Sequence, residues 1–132
     1  MKYLLDSDVI AAAIKGRLPV VLKLQALKPN DVGVSVLGAA EAETALRLNP
    51  RAQARYGKLL KEFLQSVQTI GIGETEARQA VTLGVYLQAA GEKLAPLDLW
   101  LAATAVARQL VLVTDRMSTF ASVPNLEVEK WV

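Results

Sequence analysis

A chain without histidine or cysteine must do its chemistry with oxygen and nitrogen cations. None of the 132 residues is of either type. That removes Ser-His-Asp and Cys-His catalysis, histidine general bases, thiolates, disulfides and His- or Cys-ligated zinc. Carboxylates, hydroxyls, lysine and arginine remain, and oxygen-only ligand sets favour Mg²⁺ or Mn²⁺. Among 13 acidic residues, four fall where chemistry is expected: Asp6, Glu41, Asp98 and Asp115. Asp6 ends a short apolar run and opens Asp6-Ser7-Asp8. Glu41 lies among Gly38, Ala39, Ala40 and Ala42, Asp98 heads an almost wholly apolar stretch, and Asp115 directly follows another. An unpaired charge in apolar surroundings is costly. One divalent ion shared by several carboxylates would compensate them together; converging without it, they would repel and raise one another's pKa values. Each acid also has an ordinary explanation: Asp6, Ser7 or Asp98 as a helix N-cap, Glu41 paired with Arg47, Asp115 in a turn.

The elements decide which acids can meet. Residues 2–5 read as a strand without polar alternation, as in a parallel sheet covered on both faces. An Ala-rich helix follows over residues 9–15 to Gly16, and Pro19 starts a second with Val20, Val21, Leu24 and Leu27 at helical spacing. Val32–Ser35 is a second strand, and Ser35 can cap a helix over residues 36–48. Asn49-Pro50 breaks it, and another helix runs over 51–65. A third strand covers 67–72, and a long helix 74–90 ends before Gly91. Residues 94–98 read as a connector, 99–109 as a core helix, 110–114 as the clearest strand, and 126–129 as a charged edge strand. This alternation predicts an α/β fold, a three-layer α/β/α sandwich with a mostly parallel central sheet, in a single domain over residues 1–132.

Ligands in open α/β sheets bind at the carboxyl ends of the strands. Asp6, Glu41 and Asp115 follow strands one, two and four and so share that edge. Element order alone sends Asp98, at the start of a helix leading into strand four, to the opposite edge. Glu62, Glu76 and Glu92 read as solvated.

The rest of the composition sets bounds. With 52% hydrophobic and 21% charged residues, a substantial core is expected and disorder is not. The absence of a long apolar run, and the acids that break the first one, predict no membrane association and a cytoplasmic location. The net charge is +2 and the isoelectric point near 9.0, compatible with a polyanionic partner.

The motifs together resemble those of PIN-domain nucleases. Leu4-Leu5-Asp6-Ser7-Asp8-Val9-Ile10 is similar to the family's opening motif. Val34-Ser35 followed by Ala40-Glu41 resembles the second, and Pro96-Leu97-Asp98-Leu99 with Ala102-Ala103-Thr104-Ala105 the third. Leu112-Val113-Thr114, Phe120, Val123-Pro124-Asn125-Leu126 and Trp131 resemble the fourth block and tail. The matches run from residue 3 to 131 in order. Length and ending look most like VapC-type toxins of prokaryotic toxin–antitoxin pairs.

The resemblance implies RNA hydrolysis by acids gathered around Mg²⁺ or Mn²⁺. It assigns Asp6, Glu41 and Asp98 to the first three acids and brings Asp98 to the others. It sets Ser7 and Thr114 beside the metal as small hydroxyl residues. The fourth position departs: the family often has Asn or Asp two residues after the Thr and another Asp before the Phe, where this chain has Arg116 and Thr119. Asp115 is the available fourth catalytic and metal-binding acid, and Arg116 a candidate phosphate contact.

The resemblance also implies a VapB-like antitoxin partner and a homodimer. Val20, Val21, Leu24 and Leu27, with Leu59, Leu60 and Phe63, could line the antitoxin groove, while Arg47, Arg51, Arg55 and Lys58 could form a basic ridge for RNA. Two other classes compete. Asp6-Ser7-Asp8 is also similar to the nucleophile motif of haloacid-dehalogenase-type phosphatases, with Asp6 attacking and Asp8 as acid/base. A PIN-like fold with an incomplete fourth motif could also be a non-catalytic binding module.

Overall fold

The computed structural model describes residues 1–131. Its centre is β1 (Tyr3–Leu5), flanked by β2 (Val32–Ser35) and β4 (Val111–Val113), with β3 (Gln68–Ile70) beyond β2 and β5 (Val128–Glu129) beyond β4. All four strand pairings are parallel. Helices α1 (Ser7–Ile14) and α2 (Leu18–Gln25) connect β1 to β2. Helices α3 (Val36–Arg47) and α4 (Pro50–Ser66) connect β2 to β3, and α5 (Glu74–Ala89) and α6 (Pro96–Ala107) connect β3 to β4.

Parallel strands need crossovers, and crossovers cover both faces. Leu5, Val34 and Val113 pack on one face against Val9, Ile10, Leu46 and Leu60. Leu4 and Leu112 point the other way, against Leu83, Leu87, Leu101, Ala102 and Phe120. The result is the α/β/α sandwich that the element order predicts. The strands are shorter than the apolar runs suggested: the runs at 67–72 and 110–114 contribute only three ladder residues each. Among the described residues, no helix is long and apolar enough to cross a membrane.

The chain leaves β1 towards β2 and β3 and later returns to β4 on its other side. The crevice between the carboxyl ends of β1 and β4 is therefore a topological switch point, where such sheets bind ligands. The Asp6 N–H donates to the Val113 carbonyl at 2.9 Å, closing the two strand ends together.

Asp98 stands at this edge, against what element order suggested. The expectation had two helices between β3 and β4 but gave the second the wrong direction; the pair is an antiparallel hairpin. Glu76 near the start of α5 meets Arg108 at the end of α6, and Gly84 lies against Leu99, so the helices are antiparallel. At their junction Gly91 adopts φ +72°, and the Glu92 N–H returns to the Leu87 carbonyl at 2.9 Å, a helix end that needs the left-handed conformation. Helix α6 hands directly to the start of β4, so it must finish at the amino edge of the sheet. Its 12 residues span about 18 Å, which returns its first turn to the carboxyl edge. That helix also begins at Pro96, so Asp98 lies within its first turn rather than in a connector.

Glu76 is a second correction. It is 3% exposed, not solvated. Its carboxylate accepts from Arg108 Nε at 2.8 Å and Nη2 at 2.7 Å and from the Gly73 N–H at 3.3 Å. Hydrogen bonding from its own backbone N–H, then from Arg108 and Gly73, holds it below the ordinary glutamate range despite burial. A lowered carboxylate pKa stabilises the fold above the unfolded-state value and loses that contribution as pH falls through the folded value. Glu76→Ala should therefore cost about 2 kcal/mol at neutral pH, since Arg108 is half exposed and keeps water as a partner. The cost should shrink below about pH 4. Urea melts at neutral and acid pH test this; an unchanged difference across that range would refute it.

Candidate active site at the β1–β4 crevice

Asp6 is buried at the crevice, 2% exposed. As N-cap of α1, its Oδ1 accepts from the Ser7 N–H at 2.8 Å. Its Oδ2 accepts from the buried Thr114 hydroxyl at 2.8 Å. The capping role and a functional role coexist, because one oxygen serves each. Thr114 in turn accepts from the Arg116 N–H at 3.0 Å, so the residue after β4 fixes both Asp6 and the loop beyond it.

Arg116 takes the centre. Its Nη2 and Nε lie 2.9 and 3.2 Å from Asp6 Oδ2. Its Nη2 and Nη1 grip Asp98 Oδ1 at 2.8 Å and Oδ2 at 3.1 Å. The fork on Asp98 is the bidentate geometry at which guanidinium excels. Asp98 and then Asp6 hold the guanidinium well above the usual arginine range, so it stays charged. Its face rests over the Phe120 ring, 5.4 Å from the centroid.

Glu41 accepts from the Ser7 hydroxyl across the α1–α3 junction; its expected alternative partner, Arg47, pairs with Glu43 at 3.1 Å instead. Ser35 caps α3 through the N–H groups of Leu37 and Gly38 at 3.0 and 3.1 Å, which sets the helix that carries Glu41. Asp6, Glu41 and Asp98 line one narrow cleft with Leu37, Gly38, Leu97 and Leu101, of about 10 Å³, room for one water-sized sphere.

Asp115 is placed differently from the other three acids. It is exposed and does not line the cleft. Its backbone N–H donates to Asp8 Oδ2 at 3.0 Å. Burial first, and then the Asp6 charge, push the Asp8 carboxyl up, and its Oδ1 is buried without a partner. Asp8 thus ties the β4 loop to α1. The phosphatase reading, with Asp6 attacking and Asp8 as acid/base, finds no support in this arrangement, in which Asp8 is engaged with the β4 loop.

Sequence reasoning placed Arg116 beside the chemistry but missed its bond to the two acids. The signal was a lone basic residue where the family often has Asn or Asp. It also missed a groove of about 470 Å³ between α1 and α3, lined by Ser7, Ala11 and Lys15 on one side and Glu41, Ala45 and Asn49 on the other. Steps of four along each helix were the available signal. Of the proposed basic ridge, Arg47 and Lys58 are paired with Glu43 and Glu62 four residues away.

Whether a divalent ion fits is a question of donors and room. Three carboxylates facing one ion-sized cleft suit a hard cation. Among the described residues, however, no three acids are gathered as ready-made ligands: Arg116 engages Asp6 and Asp98, and Glu41 is held by Ser7. The donor set fits the ion once Arg116 moves aside.

The sequence profile of the PIN domain matches residues 3–122. Ribonuclease VapC5 of Mycobacterium tuberculosis is 28% identical over 113 residues, covering 84% of this chain and 80% of that protein. A chain in the structure of VapBC2 from Rickettsia felis bound to a DNA fragment from its promoter superposes with a TM-score of 0.89 at 25% identity, with all of both chains covered. One in the structure of DNA-bound VapBC from Salmonella typhimurium gives 0.89 at 20% identity, covering 100% of this chain and 99% of that one.

Proposed function

The chain belongs to the PIN-domain family, and from that premise we propose that it is a metal-dependent endoribonuclease, the toxin of a type II toxin–antitoxin pair. The observation that carries the reading is the meeting of Asp6, Glu41 and Asp98 at one cleft on the switch point. Among relatives, a ribonuclease of similar length supports it.

Asp6, Glu41 and Asp98 would hold Mg²⁺ or Mn²⁺, with Asp115 adding negative charge from the rim. When bound, the ion polarises the scissile phosphate and lowers the pKa of a water. The chain's own residues do the positioning. Thr114 and the Ser7 N–H fix the Asp6 carboxylate. Ser7 holds Glu41, which can orient a water or take its proton. The α1–α3 groove leads away from the cleft, and Arg116 on its wall has the planar donor fork that suits a phosphodiester. No histidine is required at any step.

The partner we infer is a VapB-like antitoxin, as in the VapBC structures that this fold matches. An apolar groove of about 280 Å³ between α2 and α4, lined by Val21, Leu24, Leu27, Phe63 and Val67, suits an amphipathic segment of it. Val20 and Leu60 are core instead, at 0% and 3% exposure. The exposed Val81, Val85 and Tyr86 on α5 offer a surface for a second copy in a cytoplasmic homodimer.

Incubation of the purified chain with single-stranded RNA should give cleavage in Mn²⁺ or Mg²⁺, stopped by EDTA, with no covalent intermediate. Absence of cleavage of any RNA with either ion would overturn the nuclease reading in favour of a binding module.

A further inference from the structure

Two acids of the cleft already hold a cation, and it belongs to the chain. Arg116 donates to three of the four carboxylate oxygens of Asp6 and Asp98, and the fourth accepts from the Ser7 N–H. Every carboxylate oxygen of Asp6 and Asp98 therefore has a donor. The cleft beside them keeps about 10 Å³ with the guanidinium in place, so an ion can gain the oxygens of Asp6 and Asp98 that Arg116 holds only by displacing it.

We propose that Arg116 is the resting occupant of the metal position, a guanidinium that must leave before a divalent cation binds. The inference rests on the metal-dependent reading above and adds what controls loading. The side chain is built for two positions. Its backbone is pinned by the bond from its N–H to Thr114, so movement is confined to the side-chain torsions. The side chain is 40% exposed, and it already borders the 470 Å³ groove into which it can swing. Charge sets the direction of exchange. Asp6 and Asp98 carry two negative charges, and one guanidinium neutralises half of them. A divalent ion neutralises both, and the released guanidinium then faces the groove assigned to the RNA backbone. Apparent metal affinity is lowered by the fraction of time the site is blocked.

The test is Mn²⁺ titration of the whole chain by calorimetry without RNA, for wild type, Arg116→Gln and Lys15→Gln. Lys15 borders the same groove and makes no bond to the acids, so it reports the effect of charge alone. Arg116→Gln should bind Mn²⁺ at least about tenfold more tightly than wild type, and Lys15→Gln within about twofold. Equal affinity of Arg116→Gln and wild type, or an equal gain in Lys15→Gln, overturns the proposal while leaving the metal site standing. No Mn²⁺ binding to any of the three overturns both the proposal and the metal-dependent reading. Should Arg116→Gln fail to fold, Arg116→Lys serves: it keeps the charge but lacks the fork, and affinity no higher than wild type overturns the proposal.

Discussion

Asp6→Asn should lower RNA cleavage by about a thousandfold, roughly 4 kcal/mol of barrier. The substitution keeps size and shape, and Oδ1 of asparagine can still accept from the Ser7 N–H. What changes is the other end. Oδ2, which receives Thr114 and two nitrogens of Arg116, becomes an NH₂ group facing donors. The proposed ligand with the least exposure is lost, and the guanidinium keeps only Asp98. Discounted for the partial exposure of Arg116, the fold should lose about 2 kcal/mol. Activity and stability therefore separate in size, and circular-dichroism melts beside the cleavage assay distinguish them. A variant that is folded at the assay temperature and retains more than about a tenth of wild-type activity would remove Asp6 from the chemistry.

Phe120→Ala should give the largest loss of stability, about 3–5 kcal/mol. Phe120 is the largest fully buried side chain, 1% exposed, and packs with Leu112, Leu101 and Val123 beneath the β4 loop. Its ring also supports the Arg116 guanidinium, so part of the loss, about 0.5–1 kcal/mol, is cation–π attraction. Phe120→Leu isolates that part, because it keeps apolar volume and loses the ring. Urea unfolding of Phe120→Ala, Phe120→Leu, Arg116→Gln and the double variants closes the cycle. Additive losses would mean that the ring fills space and does not hold the guanidinium.

Much of this was legible in the chain because it depends on local pattern. The unalternating run at residues 3–5 announced a strand covered on both faces, and Ser35 announced the cap of α3. The carboxyl-edge rule brought Asp6 and Glu41 to one place before any coordinates. What local pattern does not contain is the direction of a helix inside a two-helix crossover. The error over Asp98 came from that, and a check was at hand: a helix handing straight to a strand must end where the strand begins. Glu76 was misread for a related reason. Its burial depends on Arg108, 32 positions later, and on the antiparallel packing of α5 on α6. The Arg116 bridge is similarly non-local, spanning 110 positions to Asp6 and 18 to Asp98.

The central place of β1 has a further consequence for how the molecule comes into being on the ribosome. The first strand made is the one that must wait longest. Residues 3–5 can pair with β2 early, but their other neighbour is β4, more than 100 residues later. Until that segment emerges, one side of β1 is an open edge, and Asp6 lacks Thr114, 108 positions away. Such distant pairing delays completion of the fold. For a chain read as a toxic nuclease, the delay is protective: a growing polypeptide has Asp6 and Glu41 but no Asp98 or Thr114. On that reading, no RNA would be cut until synthesis had passed Asp98 and Thr114.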